Sequence, residues 1–141
     1  MKTNIKDFTD LEVWKRCNDI KINIYNIVKT LPEDEKYGLV SQMRRASISI
    51  TANIAEGYGR FHFQENIQFF RQTRGSLYEL KDHIRSCFQF KYINKDMTDT
   101  TLSKIETAVK IVNGYIRMLK RSKNSAAIIM KSSLSTEKVI S

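Results

Sequence analysis

The stretch from Leu102 to Leu119, LSKIETAVKIVNGYIRML, decides the fold. Leu102, Ile105, Val109, Val112, Ile116 and Leu119 recur at alternating steps of three and four without a fault. A helix of 3.6 residues per turn gathers such positions into one apolar stripe. The spacing predicts an amphipathic helix from about Asp96 or Thr98 to Lys120, with a seam that only partner helices can cover.

The same period appears upstream. Val13, Cys17, Ile20, Ile24, Ile27 and Leu31 mark a first helix beginning near Thr9 or Asp10. Thr9 followed by Glu12 has the form of a capping box, and Leu31-Pro32 ends the segment because the residue before proline is pushed out of the helical region. A second helix is expected from Glu35 to Glu56, its main stripe being Leu39, Met43, Ala46, Ile50 and Ile54. Gly57-Tyr58-Gly59 is expected to close it in a left-handed cap. A third runs from Phe63 to Lys91, with Phe70, Leu77, Leu80, Ile84, Cys87 and Phe88 on one side. The chain has 141 residues with one proline and five glycines, so long helices dominate and one domain is expected. Short connections between such helices make neighbours antiparallel. The expected fold is therefore all-α, an antiparallel up-and-down four-helix bundle over residues 1–121. Residues 122–141, serine-rich and basic, read as a flexible tail.

The second helix has a further edge of Val40, Ile48, Thr51, Ala52 and Ala55, with Arg44 beside it. Apolar or small residues then cover more than half its circumference, whereas a surface helix of a monomer needs one stripe. The excess points to a second copy of the chain, with Arg44 as an interface arginine facing a carboxylate. Arg45 faces the polar side.

A net charge of +9 directs attention to polyanions, whose attraction weakens with salt. On the third helix Arg71, Arg74, Lys81 and Arg85, with Tyr78 among them, fall within roughly 80° of one another on the wheel. Such a row matches phosphates along a nucleic-acid backbone, and arginine offers forked hydrogen bonds. The alternative reading is a solvated face whose long side chains cover the bundle seam. From Thr107 to Thr136 there are six basic residues and no acid, among them Arg117, Lys120, Arg121 and Lys123. Cations at a helix C-terminus complement its dipole, a role sufficient for some of them, and the absence of any acid over so long a run points further to a polyanion contact.

No catalytic site is expected. His83 and Cys87 lie one turn apart, but two ligands do not make a metal site, and core packing is the better reading; Cys17 is too distant in sequence to form a zinc motif with them. Asn53 and Glu56 read as local hydrogen-bonding groups, and Trp14, Tyr25, Phe69 and Phe70 as core or interface aromatics. Some helical-bundle ribonucleases carry an arginine and then a histidine with four to six residues between them. Neither His62 nor His83 is so preceded. No cofactor is expected. Met1 to Ile5 carries no apolar run, and Ala126 to Met130 is too short to span a bilayer, so the expected compartment is the cytoplasm, with no membrane partner.

Several stretches resemble a known family. They are Phe8-Thr9-Asp10-Leu11-Glu12-Val13-Trp14, Leu31-Pro32-Glu33, the long run from Tyr37 to Arg60, and Gly75-Ser76-Leu77-Tyr78-Glu79-Leu80. Together, over residues 8–121, they are similar to the four-helix bundle proteins encoded in 23S rRNA intervening sequences. The accessory variability determinant of diversity-generating retroelements belongs to the same superfamily. The resemblance implies a bacterial protein, an up-and-down bundle and a barrel-like homopentamer. From the retroelement relative it implies a basic outer surface that engages nucleic acid and a reverse transcriptase. It carries over no catalytic residue. Thr51 stands where many relatives have proline, which implies a straighter second helix. The expected function is thus a non-enzymatic oligomer that binds RNA or DNA, RNA being favoured. The rival is a protein adaptor whose charge is incidental.

Overall fold

The computed structural model describes residues 5–59 and 63–121. A short 3₁₀ turn at Phe8–Asp10 leads into α1, Glu12–Val28. A second 3₁₀ turn at Glu33–Glu35 precedes α2, Leu39–Tyr58; α3 spans Phe63–Gln89 and α4 spans Lys95–Arg121. No strand occurs among the described residues.

Cross-helix contacts fix the topology. Between α2 and α3, Cys87 Sγ lies 3.7 Å from Met43 Sδ, Ser49 and Ser76 hydroxyls are 2.9 Å apart, and Thr73 Oγ1 donates to the Ile50 carbonyl. Numbers rise along one helix as they fall along the other, so the two are antiparallel. Arg74 donates to Asn113 and Lys81 approaches Glu106, which makes α3 and α4 antiparallel too. Asn23 donates to Thr101 and Lys104 pairs with Asp19, closing α4 against α1 in the same sense. Lys21 reaches Thr51, and Arg44 lies over Tyr25, between α1 and α2. The result is a ring of four helices, each antiparallel to both neighbours.

α4 is the most enclosed. All six stripe residues from Leu102 to Leu119 are buried, and Ala108, Ile111 and Tyr115 widen the buried face toward α1 and α3. Tyr115 stacks on Phe70 at 5.3 Å between ring centroids. Its hydroxyl is buried near the first turn of α1 without a hydrogen-bond partner among the described residues. Burial pushes its acidity well below that of an ordinary tyrosine.

Several local expectations change. The box at the N-terminus is built by Asp10, whose carboxylate accepts the backbone amides of Lys6 and Asp7 at 2.8 and 3.1 Å, while Thr9 turns its hydroxyl to Asp7. Those amides hold the Asp10 carboxyl below its usual range. α2 starts at Leu39, because Glu35 stays in the 3₁₀ turn and its Oε1 accepts the Leu39 amide at 3.1 Å. Gly57 is a helical residue, not a left-handed cap. A Cβ there would stand 3.1 Å from the Cβ of Phe69, so glycine permits α2 and α3 to meet closely. Gly59 is right-handed, with φ −74°. Asn94 supplies the α4 cap, its side chain accepting the Met97 amide at 2.8 Å. Phe88, expected in the core, is 45% exposed, because Ile84 and Cys87 already fill the inner face of that turn.

The end of α3 carries the one left-handed residue among those described, Lys91, with φ 66°. The Tyr92 amide donates to Cys87 O and the Lys91 amide to Phe88 O, a Schellman-type closure that favours glycine. A lysine there costs about 1 kcal/mol in steric strain. Lys91→Gly should raise the unfolding free energy by about 1 kcal/mol in urea denaturation; a loss of stability would mean the turn is held in another conformation.

Candidate functional site

The two basic regions seen separately in the sequence come together on one face. On α3, Arg71, Arg74, Tyr78, Lys81 and Arg85 share the side turned toward α4. On α4, Glu106, Lys110, Asn113, Arg117 and Lys120 recur at steps of four and three, within roughly 80° on the helical wheel. The two rows meet where Arg74 Nη1 donates to Asn113 Oδ1 at 2.7 Å and where Lys81 Nζ lies 3.6 Å from Glu106 Oε2. Tyr78, Lys81, Glu106, Val109, Lys110 and Asn113 line a shallow groove between them. Continuing the register by one turn sets Arg71 level with Arg117.

Arg74 and Lys81 are half-buried, and the Lys81 ammonium sits 5.5 Å from the Tyr78 ring centre. These two are partly held by the protein itself, as the seam-covering reading anticipated. Arg71, Arg85, Lys110, Lys120 and Arg121 are exposed. Glu106 is the acid the wheel of α3 could not reveal, since it comes from the neighbouring helix. Lys123 lies outside the described residues.

Other seams are closed by opposite charges. Arg45 bonds both Gln42 and Glu79, and Glu79 also takes His83 at 3.0 Å. Arg45 on the polar side thus serves structural pairing. Asn53 donates to the Ser49 carbonyl and hydroxyl, a local role as anticipated. His83 is committed to Glu79, while Cys87 lies against Met43, so they do not converge as metal ligands. No group of three metal-ligating side chains occurs among the described residues.

The second face lies between α1 and α2. Of the six residues expected to meet a second copy, Val40 and Thr51 are buried within the chain, Thr51 accepting from Lys21 at 3.2 Å. Ile48 is 48% exposed; Arg44 and Ala52 are also exposed, and Ala55 is half-buried. Arg44 stacks over Tyr25 of its own chain at 5.6 Å. Ile22, 54% exposed, joins Ile48, Lys21, Tyr25 and Asn26 around an apolar depression. Ile22 was missed because it sits off the regular stripe of α1, where a single apolar residue gives no periodic signal.

An all-α chain of four helices, each antiparallel to its neighbours, with a basic seam and no described metal cluster, defines the class: a helical-bundle protein. Residues 9–114 match the family model of the 23S rRNA-intervening sequence protein, and the chain belongs to that family. A comparison with curated proteins gave no match. No helix among the described residues is long and apolar enough to cross a membrane.

Both thiols are buried. Burial raises Cys17 from 9.0 to about 12 and Cys87, with help from Glu35, to about 11. The folded chain therefore keeps protons that the unfolded chain releases above pH 9, so stability should fall as pH rises from about 9 toward 12. At about pH 8, below both values, neither cysteine should react with iodoacetamide until denaturant is added, as read by mass spectrometry. Rapid native alkylation would contradict the packing of α1 or α3.

Proposed function

We propose that this protein is a non-enzymatic, cytoplasmic, self-associating bundle that binds nucleic acid, RNA in preference to DNA, along the α3–α4 face. One observation carries the reading: Arg71, Arg85, Lys110 and Lys120 stand exposed along a seam where, among the described residues, cations outnumber the nearby acids Glu106 and Asp82. Like charges so placed repel one another, and a row of phosphates relieves the repulsion. The half-buried Arg74 and Lys81 add rigid donors at the centre of that row. Cys17 and Cys87 are buried and His83 is paired with Glu79, which favours a binding role for this chain.

Self-association uses the opposite side. Ile22, Ile48 and Ala52 leave apolar area between α1 and α2 that a second copy would cover, with Tyr25 and Arg44 at the rim. The family resemblance favours a pentamer. Because the two faces are separate, assembly would multiply copies of the basic seam on the outside. A reverse transcriptase or another protein engaging the basic seam is the competing occupant.

Both halves are tested on the same preparations. Light scattering should give a mass several times 16.5 kDa, and Ile22→Lys with Ile48→Lys should return it to the monomer value. Changing Arg71, Arg74, Lys81 and Arg85 together to glutamine should weaken RNA and DNA binding for unrelated sequences alike. It should also flatten log affinity against log salt by about 0.7 to 0.9 for each phosphate no longer neutralised. Unchanged affinity and slope would assign the face to a protein partner.

A further inference from the structure

The row on α3 does not end at Arg85. Phe88 follows it by three residues and lies within roughly 20° of the edge of the same wheel sector. The order along the face is Arg71, Arg74, Tyr78, Lys81, Arg85, Phe88, at steps of three, four, three, four and three. Two aromatic rings are thus interleaved with four cations. Both rings are open to solvent, Tyr78 at 53% and Phe88 at 45%. Neither makes a ring–ring contact among those described, whereas Phe8, Trp14, Tyr58, Phe70, Phe90, Tyr92 and Tyr115 all do. A phenylalanine left so exposed on a helix with a complete core forgoes the stabilisation its burial would bring.

Resting on the proposed nucleic-acid role, we infer that the α3–α4 face takes unpaired RNA, its phosphates on the cations and its bases stacked on Tyr78 and Phe88. Duplex nucleic acid offers phosphates outside and keeps its bases stacked inside, so it can use the cations of this face and not the rings. An unpaired strand offers both. RNA is the strand that presents unpaired bases in loops and bulges, where aromatic side chains commonly take them. The rings lie about 15 Å apart along the helix axis. They would therefore hold bases separated by intervening nucleotides, which pass over Lys81 and Arg85. Tyr78 is the better-defined platform, because Lys81 lies against one side of it and Val109 and Asn113 border the groove.

The test compares a labelled oligoadenylate of about 12 nucleotides, within the site sizes typical of single-strand binders, with an RNA duplex of the same length. Fluorescence anisotropy is read on the full chain, on Tyr78→Leu, on Phe88→Leu and on the double variant. Leucine keeps the apolar bulk, both positions are exposed, and circular dichroism checks the fold. The wild type should bind the single strand more tightly than the duplex. The double variant should lose about tenfold or more on the single strand, with duplex affinity and the salt slope unchanged. Equal losses on both ligands, or no loss on either, would overturn the inference and leave the electrostatic reading standing. Tighter binding of a single-stranded DNA of the same sequence would overturn the assignment to RNA. Failure of every oligonucleotide to bind at low salt would remove the parent proposal, and this one with it.

Discussion

The burial of α4 against α1 on one flank and α3 on the other is the constraint from which the remaining architecture follows. Its inner surface is too wide for a single partner: Leu102, Ile105, Val109, Val112, Ile116 and Leu119 form one seam, and Ile111 and Tyr115 extend it. Apolar area of this kind is driven from water at about 25 cal/mol per Å². With α4 clamped, short connections leave α2 to close the ring opposite. Gly57 lets α2 approach α3 at Phe69, and the Tyr92 hydroxyl, 2.8 Å from Glu35 Oε2, ties the α3–α4 turn to the start of α2. Accepting that hydrogen bond, Glu35 also keeps the Tyr92 phenol protonated beyond its normal range.

The same clamp distributes charge. Asp19 with Lys104 neutralises the α1–α4 seam, and Glu79 with Arg45 neutralises the α2–α3 seam. Exposed pairs of this kind add little to stability, so their consequence is mainly where charge is left over. The α3–α4 seam keeps Glu106 against a longer file of cations. The antiparallel register aligns that file from both helices into one surface. Exposed aliphatic side chains, Ile22 and Ile48, meanwhile meet on α1 and α2. A bundle so divided can associate through one side and present the other, which is the physical content of the proposed function.

Helical period alone made the stripe of α4 and the buried positions of α1 legible, because each repeats over several turns. Periodicity describes one helix at a time, and the misses follow from that. Glu106 and Asn113 could not be placed beside Lys81 and Arg74 without the inter-helix register. Gly57 carried the signature of a cap, yet the closeness of Phe69 is its actual reason. Val40 and Thr51 belong to the small-residue edge on the wheel, but α1 packs against that edge and takes them inside. Phe88 sits at the margin of the apolar arc, where a few degrees decide between core and solvent. The capping groups Asp10 and Asn94 were overlooked because a 3₁₀ turn and a short αα connection give weaker signals than a long apolar repeat.

The most direct test of the central claim is lysine acetylation footprinting by mass spectrometry, with and without a saturating RNA oligonucleotide. Reaction at Lys81, Lys110 and Lys120 should be suppressed by RNA, while Lys15, Lys29 and Lys36, away from the seam, should react as before. Protection confined to those last three, or no RNA-dependent protection, would contradict the assignment of the α3–α4 face as the nucleic-acid surface.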